Sequence, residues 1–201
     1  MFVRALDACG DTWASPINVS SFYISGINTE SDPTLFIVDG HPAVSFHDSS
    51  NSDFIYCRAD DVDGINWTQF KIIKSGSKVG FHSKMAITNG NPSIIYTTQS
   101  TTNGNCNGSV KIVRANDIQG NNWNTPIQIV GGQCNYWSTN NIFYEILNGN
   151  PSVAFQLNSN SGPGDPSGPY FVRANDINGN SWPTPQNVFD GRLLQRPYYS
   201  G

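Results

Sequence analysis

The sequence predicts an all-β chain, a β-propeller of four-stranded antiparallel blades, with about three and a half blades present. Three observations carry this. A ten-residue pattern occurs four times, beginning at Arg4, Arg58, Arg114 and Arg173 at nearly even spacing. Such a period marks supersecondary units that stack or close into a ring. A second landmark, Asn/Asp-Gly-x-Pro, stands once in each interval, at Asp39-Gly40-His41-Pro42, Asn89-Gly90-Asn91-Pro92 and Asn148-Gly149-Asn150-Pro151. No segment repeats its apolar residues at the helical period, and Gly and Pro punctuate the chain throughout.

Each unit resolves into four short runs. The first two flank the Asx-Gly pair, the strongest local sign of a tight hairpin. Strand A is Leu35-Phe36-Ile37-Val38, Met85-Ala86-Ile87-Thr88 or Tyr144-Glu145-Ile146-Leu147. Strand B is Ala43-Val44-Ser45-Phe46, Ser93-Ile94-Ile95-Tyr96 or Ser152-Val153-Ala154-Phe155. Strand C ends at each repeated Arg, as in Phe54-Ile55-Tyr56-Cys57, Val110-Lys111-Ile112-Val113 and Tyr170-Phe171-Val172. Strand D follows each repeated Trp, as in Ile17-Asn18-Val19, Phe70-Lys71-Ile72-Ile73, Ile127-Gln128-Ile129-Val130 and Gln186-Asn187-Val188.

The ten-residue pattern therefore joins strands C and D. Its constant members are Arg4, Asp7, Gly10 and Trp13; Arg58, Asp61, Gly64 and Trp67; Arg114, Asp117, Gly120 and Trp123; and Arg173, Asp176, Gly179 and Trp182. The Asp is suited to accept backbone N–H bonds, the Gly to take positive φ, and the Trp to act as an apolar plate between blades. The Arg reads as a partner of a turn carbonyl or a carboxylate.

The chain reads as a single domain over residues 1–201. It opens with a C–D pair at Phe2-Val3 and Ile17-Asn18-Val19, and three full units follow. Three closures are open. The tail could complete a four-bladed ring, two chains could combine, or further sequence could supply the missing blades. Unpaired edges favour some form of closure.

The C–D hairpin resembles the Asp-box of sialidase-type β-propellers. The wider unit, Val-Arg-Ala-Asn-Asp-x-x-Gly-x-x-Trp-x-x-Pro with Asn-Gly-Asn-Pro, is similar to tandem propeller repeats of bacterial and viral surface proteins. One extra residue between Asp and Gly, and no leading Ser or Thr, separate it from the Asp-box proper. That element is structural in its family, so the resemblance implies an architecture and carries no activity.

With 13% charged residues, a net charge of −4 and no basic cluster, the chain is not built for nucleic acid or an anionic membrane. No apolar run is long enough to span a bilayer, and Arg4 and Asp7 interrupt any signal-like start.

Candidate ligand residues gather in the D–A loops, which share one propeller face with the B–C loops. They are Phe22-Tyr23, Phe81-His82, Tyr136-Trp137 and Tyr198-Tyr199, with a Ser close behind each, at Ser25, Ser83, Ser138 and Ser200. Such a ring could stack sugars; the competing reading is an aromatic plug filling the upper core. Glu145 takes the strand-A place of Phe36 and Ala86, which suggests a carboxylate lining the central channel. Its neighbour Tyr144 invites comparison with the sialidase Tyr–Glu pair, yet alternation along a strand separates the two side chains. A sialidase also needs three converging Arg, and only Arg192 and Arg196 lie outside the repeat.

His41, His47 and His82 show no metal-ligand spacing, and His41 stands where other units have a turn Asn. The run Asp176-Ile177-Asn178-Gly179-Asn180 slightly resembles a calcium loop but lacks its length and bidentate Glu. No cofactor is therefore expected. Cys57 reads as a core thiol and Cys9 lies in a turn. Cys106 and Cys134 sit in loops of one face, so a disulfide between them is feasible, implying an oxidising compartment.

These observations favour a non-catalytic, lectin-like propeller binding glycan or protein ligands at an extracellular or particle surface. The alternatives are a subunit of a larger assembly, including a homo-oligomer, and a sialidase-like glycoside hydrolase.

Overall fold

The computed structural model describes residues 1–19, 33–76, 79–98, 101–102, 105–106, 108–133, 142–157 and 168–188. Three four-stranded antiparallel sheets follow one another. The first blade holds β1 (Thr34–Val38), β2 (His41–Asp48), β3 (Asp53–Arg58) and β4 (Gln69–Ser75). The second holds β5 (Val79–Thr88), β6 (Asn91–Thr98), β9 (Gly108–Arg114) and β10 (Ile127–Gln133). A small hairpin of β7 (Thr101–Thr102) and β8 (Asn105–Cys106), not anticipated from the sequence, lies between β6 and β9. The third blade holds β11 (Ile142–Leu147), β12 (Asn150–Leu157), β13 (Gly168–Arg173) and the short β14 (Gln186–Asn187). The N-terminal C–D pair is present, but as a bridge between Phe2 and Ile17 and another between Ala5 and Trp13 rather than as two strands. Adjacent first strands pack together, β1 and β11 each against β5, so the blades fan around one side of a common axis.

Both hairpin signals form as expected. Asp39, Asn89 and Asn148 take φ of 49°, 44° and 48°, and each following Gly takes 75–80°. Two consecutive positive φ values define the turn whose twist matches paired strands. The repeated Arg then ties this turn to strand C. Arg58 donates from Nε to the Val38 carbonyl at 3.0 Å and from Nη2 to that of Asp39 at 3.3 Å. Arg114 does the same to Thr88 and Asn89, and Arg173 to Leu147 and Asn148. His41 supports the same corner: its Nδ1 lies 2.9 Å from the Ala59 carbonyl, where Asn91 and Asn150 donate to Ala115 and Ala174.

In the C–D turn the Asp carboxylate gathers backbone N–H groups. Asp61 accepts from Ile65 and Asn66, Asp117 from Gln119, Asn121 and Asn122, and Asp176 from Asn178, Asn180 and Ser181. Each Trp indole donates back to the Gly carbonyl of its own turn at 2.8–2.9 Å. The turn is thus a rigid plug before it meets its neighbour.

That plug locks onto the preceding blade. Phe2 lies against Gly64 and 5.4 Å from the Trp67 ring. Tyr56 lies against Gly120, 5.0 Å from the Trp123 ring, and its hydroxyl donates to the Gln119 carbonyl at 2.9 Å. Ile112 lies against Gly179, with Trp182 packed on the same cluster. Phe2, Tyr56 and Ile112 are one repeat position, immediately before Val3, Cys57 and Val113. Three apolar clusters result, one at each junction of successive units. Cys57 is buried in the first junction, where loss of hydration pushes its thiol pKa up, as a core thiol requires.

The glycines of turn and plug should respond differently to a methyl group. Gly90→Ala, whose Cβ meets open space, should cost about 1–2 kcal/mol from its positive φ alone. Gly120→Ala would set a Cβ 2.7 Å from the Tyr56 ring and should cost about 1–3 kcal/mol more, read by chemical denaturation. The carboxylates predict a pH dependence. The Thr12 hydroxyl and turn N–H groups hold Asp7 at about 2, and the Ile65 N–H leads in lowering Asp61. Burial raises Asp117, but N–H groups from Asn121 and Asn122 outweigh it. A depressed folded-state pKa gives stability that is complete above the unfolded value of about 3.9 and is lost as pH falls through the folded one. Melting temperature should therefore drop between about pH 4 and 2, and by less in Asp61→Asn.

Candidate functional site

The B–C turns and the starts of the A strands share the end of the arc opposite the Asp-capped plugs. Its best-built part lies where the second blade crosses the first. Gly80, at φ 81°, passes directly over Phe54; an added Cβ would stand 2.1 Å from that ring. The next side chain, Phe81, packs on the buried His47 ring with centroids 4.8 Å apart. His82 then takes φ 48°, a left-handed conformation costly for a residue with a Cβ. Its ring lies 6.5 Å from that of Phe81. Ser83 is buried, its hydroxyl 2.9 Å from that of Ser45, while Thr34 donates to its carbonyl. Two register shifts in the β5–β6 ladder accommodate this crossing, and Thr97 donates to the Phe81 carbonyl at 3.0 Å.

The tip of the first blade adds two carboxylates. Asp48 and Asp53 face each other across the β2–β3 ladder and are both buried. Asp48 is committed to its own turn, accepting from the Ser50 N–H and from the Asn51 side-chain amide at 3.0 and 2.7 Å. Asp53 stands at the rim as β3 begins. Sequence reading passed over both, because an Asp at a hairpin tip is locally an ordinary turn residue.

Of the residues expected to bind ligand, Phe81 and His82 lie at this crossing, half-buried. Phe81 is therefore in part the core plug that competed with the stacking-platform reading. Tyr23, Tyr136, Trp137, Tyr198 and Tyr199 lie outside the described residues, as does Cys134, so the Cys106–Cys134 pairing rests there too. Cys9 is a free, exposed thiol and Cys57 a free, buried one.

The strand-A equivalents of Glu145, Phe36 and Ala86, pack into the junctions between blades. Glu145 stands on the corresponding face of the third blade and is exposed there. The separation from Tyr144 holds: Tyr144 points the opposite way, into the second blade. Its hydroxyl lies 2.8 Å from that of Thr88 and 2.6 Å from that of Ser93, which are themselves 2.6 Å apart. Burial leads in pushing the Tyr144 pKa up, so this phenol is a structural pin and no nucleophile.

A separate polar cleft of about 270 Å³ lies at the plug end between the first two blades, lined by Tyr56, Arg58, Asp60, Gln69 and the turn Gln119-Gly120-Asn121. The exposed group Asp7, Cys9 and Asp11 lies within a C–D turn, and there the Asp7 oxygens already accept turn N–H groups.

No protein-family model and no curated protein sequence matches the chain. Its shape does match solved structures. One is a thermostable family-43 glycoside hydrolase, with TM-score 0.55 and 14% identity, over 85% of this chain and 60% of that one. Another is an α-L-arabinofuranosidase from Lactobacillus brevis, at 0.52 and 13%, over 84% and 56%. A third is RS223-β-xylosidase, at 0.51 and 12%, over 81% and 59%. The chain spans less than two thirds of the length of each. At such identities the match establishes the propeller-type fold. The expectation of a non-catalytic propeller binding glycans or proteins is overturned by this comparison, because the structures of this shape are named as glycosidases.

Tyr144→Phe should lower stability by about 1–2 kcal/mol, since it removes the shared partner of two buried hydroxyls. Thermal or urea unfolding measures this.

Proposed function

We propose that the chain forms part of a propeller that cleaves glycosidic bonds. The observation that supports this reading is the match in shape to the three glycosidases. Substrate and bond type belong to the proposal, since this chain spans only part of each enzyme's length.

Glycoside hydrolysis needs one carboxyl group to protonate the leaving oxygen and a second carboxylate acting as base or nucleophile. Asp53 is our candidate for one of these roles. It is a carboxylate at the rim, while Asp48 opposite it is occupied by its own loop. The crossing, on the other face of the same hairpin from Asp53, offers an apolar ring, Phe81, next to hydroxyl and imidazole groups. That mixture suits a sugar, whose C–H face packs on a ring while its hydroxyls find polar partners. The Asp-box-like turn supports the architecture but adds nothing specific to sialidases: Tyr144 is pinned in the core and Glu145 faces away from it.

The test is release of nitrophenol from a panel of aryl arabinofuranosides, xylosides and galactosides. The wild-type chain should turn over at least one. Asp53→Asn should lose about 100-fold or more in kcat, and Glu145→Gln should keep its rate. No turnover by folded protein, or full activity in Asp53→Asn, overturns the assignment.

A further inference from the structure

The junction between blades is repeated closely enough that two halves of it without a partner among the described residues can be identified. In each filled junction, a strand-C side chain (Phe2, Tyr56 or Ile112) seats against the Gly and Trp of the next C–D turn. The fourth such turn offers Gly10 and Trp13. The nearest atom to a Cβ built on Gly10 is the chain's own Trp13, at 3.8 Å, and Trp13 is 58% exposed, whereas Trp67 is fully buried. The fourth strand-C side chain is Phe171, on the far face of the third blade. Around it lie Phe143, 63% exposed, and Leu147, 43% exposed. Leu147 occupies the place of Val38 and Thr88, both buried against a following blade.

A hollow of about 180 Å³ opens beside Phe171, lined also by Val172, Arg173, Pro183, Thr184 and Gln186. The cleft between the first two blades contains the equivalent pair, Tyr56 and Arg58, and is closed on its other side by Gln119-Gly120-Asn121. The corresponding wall in the N-terminal turn is Cys9-Gly10-Asp11. Trp13 and Phe143 are both exposed in one molecule.

We propose that two copies of this chain associate head to tail, with Phe171 of one copy seated against Gly10 and Trp13 of the other. The contact is heterologous: each copy offers a different face, and repetition gives a closed ring or an open chain. It buries the apolar side chains at both ends by the packing already used three times within the fold.

Light scattering of the wild-type chain should give a mass at least twice that of the monomer. Phe171→Glu and Trp13→Glu should each weaken association at least tenfold and run as monomers, with circular dichroism unchanged. Phe143→Glu, on a more exposed side chain of the same face, serves if Phe171→Glu does not fold. Mixing Phe171→Glu with Trp13→Glu should restore a one-to-one complex, because one intact junction remains between them. A wild-type monomer at about 100 μM, variants that keep the wild-type mass, or a mixture that stays monomeric would each overturn the proposal.

Discussion

One contact governs this fold: a strand-C side chain set between the bare Cα of a glycine and the indole of a tryptophan in the next unit. Each sheet is short and has apolar residues on both faces, so a blade alone leaves half of its core in water. The lock removes that exposure and also sets the spacing between sheets. Glycine provides the slot: a Cβ at Gly64 or Gly120 would occupy the space of the incoming ring, and one at Gly179 would press on Ile112 at 3.3 Å. The Asp carboxylate holds the turn rigid, so the slot keeps its shape before the neighbour arrives. The inserted residue is less constrained than the slot: it is Phe, Tyr and Ile at successive junctions, while Gly and Trp do not change.

A second tie works within each blade and explains the repeated arginine. Its guanidinium bridges strand C to the two carbonyls of the A–B turn, so the inner hairpin and the outer strands move as one sheet. The N-terminal half-blade shows what the tie needs. Among the described residues Arg4 reaches no such turn; its Nε is buried with no hydrogen-bond partner, and Nη2 turns to Asp63 at 3.3 Å. Leu35 of the adjoining blade is 56% exposed, where the equivalent Met85 and Tyr144 are buried.

The repeat made the architecture readable because each lock is carried by residues at fixed local spacing. The hairpins, the Arg ties, the turn role of His41 and the opposed directions of Tyr144 and Glu145 all follow from such spacing. The crossing at Gly80 to Ser83 did not, since nothing local shows that this segment lies over Phe54 and His47 of another blade. The Thr88, Ser93 and Tyr144 hydroxyls likewise meet across a junction that no sequence window contains. The surroundings of Glu145 are unreadable for a related reason: its register is local, but the side of the sheet it faces depends on how neighbouring blades pack. Function was least readable, because the recurring residues serve the architecture, and a site is built from the few that break the repeat.

The most direct test of the lock is a double-mutant cycle on Tyr56→Leu and Trp123→Leu, followed by urea denaturation. If the junction acts as one unit, the two changes will be non-additive, with a coupling of about 1 kcal/mol or more. Additive losses would show that the two rings contribute separately, and that contact between blades is not what holds this fold together.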